Sequence, residues 1–72
     1  MRETPELRRI KKWYDRIRHG WNPSEKELEI QFGEYADQAD LLVRRVRDGQ
    51  SWEDFTAGID GAPAELRKRL TT

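Results

Sequence analysis

The chain has 72 residues, no cysteine, and 14 basic against 14 acidic side chains, so its formal net charge is zero. That length allows one domain, 1–72, near the lower limit for a self-sufficient hydrophobic core. Without cysteine there is no disulfide staple and no thiolate zinc site, which fits a reducing cytoplasm. The opening "MRETPEL" lacks the apolar run of a signal peptide, and nowhere do eighteen apolar residues follow one another. The expectation is a soluble cytoplasmic domain with no membrane partner. Charged residues make up 39% of the chain, yet its large apolar residues recur at regular intervals, which points to a folded protein and not a disordered one. The charge alternates in blocks: basic through 1–23, acidic through 24–40, basic in 41–49, acidic in 50–60 and basic in 61–72.

A first helix is expected over 5–19. Thr4 can accept a hydrogen bond from an unpaired first-turn amide, Pro5 suits the first helical position, and Glu6 faces the positive end of the helix dipole. Leu7, Ile10, Tyr14, Ile17 and Trp21, with Trp13 beside them, recur at three-four spacing and mark one buried face. Gly20 and the Asn22-Pro23 pair end the helix.

A second helix is expected over 24–48, capped by Asn22 or Ser24. Leu28, Phe32, Tyr35, Ala39, Leu42 and Val46 are spaced 4, 3, 4, 3 and 4 apart, the strongest periodic signal in the chain. At ~1.5 Å per residue such a helix measures roughly 37 Å. Gly33 lies inside it at a cost of about 1 kcal/mol relative to Ala, and marks a break, a bend or a close approach of another backbone. Gly49 is suited to a left-handed stop.

Ser51, with Asp54 three residues on, opens a short third helix over 51–59 that shows Trp52, Phe55 and Ile59 on one face. "DGAP" is a turn, and Pro63 opens a last helix over 63–70 with Leu66 and Leu70 inward and Arg67, Lys68 and Arg69 near its negative end. The fold class is therefore all-α: a small helical bundle, an antiparallel hairpin of the two longer helices closed by the two short ones.

The stretch "RRIKKWYDRIRHGW" separates on a helical wheel. Its aromatic residues fall on the apolar arc, and Arg8, Lys12 and Arg16 form an i, i+4 row flanked by Arg9 on the opposite arc. Three readings compete. The row can contact phosphates of a nucleic acid. It can be offset inside the fold by the acidic start of the second helix, with "RRVR" beside Glu3 and Glu6. Or it can dock a protein. Residues 51–70 also look superficially like a helix-turn-helix. Ile30 and Leu41 lie off the main stripe, among Gly33, Glu34 and Asp37, either as two isolated surface apolars, as a seat for the third or fourth helix, or as a partner or self-association face. The 4-3 stripe of the second helix can also serve a coiled-coil seam.

Catalysis has no support in the sequence. His19 is the only histidine, no Gly-rich phosphate loop or His/Cys ligand cluster is present, and so small a bundle leaves little room for a pocket of ~300 Å³ or more. Glu34, Asp37 and Asp40 on one exposed helix face rarely complete a cation's coordination shell. No enzyme activity, cofactor or metal is expected. The sequence favours a small non-enzymatic protein-binding module, an adaptor, regulator or inhibitor that docks to a larger protein. The candidate contact residues are Arg8, Arg9, Lys12, Arg16, Ile30, Glu34, Asp37 and Leu41. The alternatives are a nucleic-acid-binding regulator using the basic face of the first helix, and a structural homodimer through the second.

Overall fold

The structure, a computed structural model, describes residues 4–71. All regular structure among them is helical: α1 (Pro5–Arg18), α2 (Glu25–Phe32), a 3₁₀ turn (Gly33–Tyr35), α3 (Ala36–Arg47), α4 (Trp52–Asp60) and α5 (Ala64–Leu70). The protein is a small all-α bundle with the four expected helical segments, the second of them folded into two.

The helix starts follow local chemistry. Thr4 Oγ1 accepts a hydrogen bond from the Leu7 N–H at 3.1 Å. Ser24, not Asn22, caps α2: its Oγ accepts from the Glu27 N–H at 3.2 Å, and Glu27 Oε2 accepts from the Ser24 N–H at 3.3 Å. Two orphan amides are thus satisfied reciprocally. At α4 only the Ser51 half of such a box forms, with Ser51 Oγ accepting from the Asp54 N–H at 3.2 Å.

The unbroken helix expected over 24–48 is corrected. Gly33 has φ 57° and ψ −123°, a conformation that an L side chain resists, and it ends α2. The three-residue 3₁₀ turn then redirects the chain into α3. Glu25, Leu28 and Glu29 of α2 face Ala36, Asp37, Asp40 and Arg44 of α3 across a crease, so α2 is folded back on α3. The longest dimension of the fold is 34 Å, less than an unbroken 24–48 helix would span. The stripe survives the corner because Phe32 on one side and Ala39, Val43 and Val46 on the other all enter one core.

That core is aromatic at its centre. Trp13 meets Phe32 edge-on with ring centroids 6.0 Å apart, meets Trp21 edge-on at 6.2 Å, and stacks on Phe55 at 6.0 Å. Phe55 also touches Tyr14 and Trp52. The Tyr14 hydroxyl donates to the Gln50 carbonyl at 2.7 Å, which fixes the loop before α4 against α1. Full burial of a ring such as Phe32 or Phe55 contributes ~1.5–3 kcal/mol. Ile10 and Ile17 of α1, Leu28 of α2, Leu42 of α3, Ile59 of α4, and Leu66 and Leu70 of α5 complete the core.

Two contacts set the ends. Arg47 donates to Asn22 Oδ1 at 2.6 Å, which brings the C-terminal end of α3 to the loop after α1. The expectation that "RRVR" lies beside Glu6 is therefore corrected; Glu3 lies outside the described residues. The reversal at Gly33 is the reason, since it turns α3 back toward the loop where α2 began. At the other contact, Gln31 Nε2 donates to the Arg69 carbonyl at 3.1 Å and Arg69 Nη1 donates to the Gln31 carbonyl at 3.3 Å, clamping the end of α5 to the end of α2.

Candidate docking surface

The inward turn of Trp13 and Tyr14 forces the cations of α1 outward. Arg8, Arg9, Lys12 and Arg16 are all exposed, and none forms an ion pair with a described residue. The ion pairs among the described residues run within single helices, Arg44–Asp40 at 3.2 Å and Arg69–Glu65 at 3.4 Å. The expected offset of the α1 row by the acidic start of α2 does not occur: the early carboxylates of α2 face the crease with α3 or cap their own helix. Arg16 instead lies over the Trp21 ring, 4.0 Å from its centroid, a contact that contributes about 0.5–1 kcal/mol where exposed.

Arg9, Lys12 and Arg16 form one wall of an open trough of about 390 Å³ whose other side is Gln31, Leu70 and Thr71. Trp13 lines it too, and its buried indole N–H finds no acceptor among the described residues. Gln31 also borders a second depression of about 460 Å³, shared with Ile30, Glu65, Lys68 and Arg69. The Gln31–Arg69 clamp is thus a saddle between two halves of one surface. Five cations and one carboxylate line the two halves, and that carboxylate, Glu65, already contacts Arg69. So small a bundle does hold depressions of a size expected to be too large for it, as open troughs and not as enclosed cavities.

The structure regroups the sequence candidates. Ile30 is 76% exposed and belongs with the basic surface, not with an acidic one. Leu41, 52% exposed, lies apart, beside the α4–α5 turn with Gly58, Pro63 and Leu66. Asp37 faces the crease between α2 and α3, and Glu34 is exposed on the 3₁₀ turn. Arg8 is exposed on α1 outside the trough. The contribution of α5, Lys68 and Arg69, escaped sequence reasoning, which read those residues only as favourable charges at a helix end. The clustering depends on the α2–α5 clamp, and no spacing rule reports it.

The 4-3 stripe of the second segment is consumed by the chain's own core, with Phe32, Ala39 and Val46 fully buried, so it offers no coiled-coil seam. As for residues 51–70, α5 is seven residues long and its last turn is hydrogen-bonded to α2. Among the described residues no three His, Asp or Glu side chains are placed to hold a metal ion, and no helix is long and apolar enough to cross a membrane. Comparison with protein-family models, curated proteins and solved structures found no match.

Proposed function

We propose that this protein is a small non-enzymatic binding module of the cytoplasm that docks to a larger protein through the cationic surface of α1 and α5. The observation that carries the reading is the row Arg9, Lys12 and Arg16, unpaired among the described residues, beside a concave, partly apolar surface. In a chain of zero net charge, cations that the fold does not neutralise concentrate the field on one face, and such a face steers and orients a partner more than it stabilises the fold. Capture from a native lysate tests it. The Arg9→Glu, Lys12→Glu, Arg16→Glu variant is expected to lose its specific protein partner, while Arg45→Glu, on another face, retains it. Equal capture by both variants rejects this surface.

The same row supports a second reading, a nucleic-acid-binding regulator. Less speaks for it: Trp13 is 4% exposed and Trp21 is covered by Arg16, so neither ring offers a free face for a base. Mobility shift of duplex and single-stranded DNA at two salt concentrations separates the two readings. Binding that falls steeply with salt and disappears in the triple charge reversal would favour nucleic acid.

A further inference from the structure

We infer that the two-part trough takes an acidic amphipathic segment of the partner protein, with carboxylates on the α1 wall and one apolar side chain on Ile30. This rests on the docking reading above and names the occupant.

The argument is one of complementarity. Cations lie on both sides of the saddle, Arg9, Lys12 and Arg16 on one and Lys68 on the other, where Arg69 is already engaged by Glu65 and the Gln31 carbonyl. A complementary segment therefore carries carboxylates on both flanks. On the Lys68 side of Gln31 the surface is not a plain cationic one. Ile30 is the most exposed large apolar side chain among the described residues, and it adjoins Gln31 at the saddle, while Leu70 lines the trough beyond. A phosphate backbone has nothing to bury against an isoleucine; an amphipathic peptide does. The reciprocal Gln31–Arg69 hydrogen bonds hold both halves in place before anything binds, so little ordering cost falls on this protein. The chain's own acidic block does not compete, because its early carboxylates face the crease on another side of α2 or cap that helix.

The test uses three probes at about 0.15 M ionic strength: a synthetic peptide of Glu, Ala and Leu with Leu at every third or fourth position, an oligo-Glu peptide of equal charge, and a DNA duplex. Titrations of the full chain follow the Trp13 indole N–H resonance. The Glu/Leu peptide is expected to bind and to shift that resonance. Oligo-Glu and DNA are expected to bind roughly tenfold more weakly, as befits the loss of one buried apolar anchor. Ile30→Ala, which removes the apolar anchor without adding charge, is expected to bring the Glu/Leu peptide down to the oligo-Glu level with no loss of melting temperature. Three results overturn the inference: oligo-Glu or DNA binding as tightly as the Glu/Leu peptide, no effect of Ile30→Ala, or no binding of the Glu/Leu peptide. If that happens while the triple charge reversal still abolishes capture of a lysate partner, the occupant is wrong and the docking surface stands.

Discussion

Residues 5–18 and residues 25–47 carry the same three-four spacing of apolar side chains, yet the first forms one helix and the second folds back on itself at Gly33. The difference separates two kinds of information. Apolar spacing reports which side chains face the core, turn by turn. It does not report whether successive turns share an axis. A 3₁₀ turn of three residues keeps the phase of the stripe while changing the direction of the chain, so Phe32 and Ala39 are both fully buried although they belong to different helices. The axis is decided by one backbone conformation that only glycine adopts without strain.

The largest expected effect lies at the meeting of the two regions. Phe32→Ala removes the ring that joins α2 to Trp13 of α1 and should cost ~3–5 kcal/mol, as much as a core this small supplies. Urea denaturation followed by circular dichroism is expected to show no cooperative transition. A sharp transition near that of the parent chain would show that the corner is held without α1.

Gly33→Ala sharpens the contrast most directly, because its sign differs between the two geometries. In an unbroken helix the change would stabilise by about 1 kcal/mol. At the observed φ of 57° it should destabilise by about 1–3 kcal/mol. Arg69 adds ordinary contact, since a Cβ on residue 33 would lie 3.5 Å from Arg69 Nη1. A raised melting temperature in this variant would mean a continuous helix.

The caps come next. Thr4→Ala and Ser24→Ala each remove a side-chain acceptor at a helix start and should each cost ~1 kcal/mol. Because Ser24 opens the shorter helix of the folded-back segment, its loss should also raise amide exchange in α2 while exchange in α1 stays as it was. Equal loosening of both helices would argue that they unfold as one unit.

The smallest effect concerns charge. Reversal of Arg9 and Lys12 to Glu should change stability by no more than ~0.5 kcal/mol at either position, since neither forms an ion pair with a described residue. Substantial destabilisation in thermal melts would reveal an internal partner and return the α1 row to the fold.

These contrasts also mark how much was legible in the sequence. Caps at Thr4 and Ser51, the stops at Gly20 and Gly49, and nearly every core residue follow from local chemistry and helical period, and the structure contains them. The corner was legible only as an ambiguity, because a glycine inside an amphipathic pattern has the same appearance whether it costs a helix a little or ends it. The surface was less legible still. The α1 row is a property of one helix and shows on a wheel. Its union with Ile30 and Lys68 depends on two hydrogen bonds between residues 38 positions apart. The expected charge pairing failed for a related reason: complementary blocks along a chain meet only if the chain brings their faces together, and the reversal at Gly33 turns the carboxylates of α2 toward α3.

Trp13 belongs to two places at once. It packs against Phe32, Phe55 and Trp21 at the centre of the core, and it lines the trough. A ligand in the trough therefore lies over the joint where α1 meets α2 and α4. Occupancy and folding share one equilibrium here, and a ligand that selects the folded chain raises its melting point by mass action. A thermal-shift screen run side by side on the parent chain and on the triple charge reversal of Arg9, Lys12 and Arg16 therefore reads this surface as the part of the shift that the variant loses.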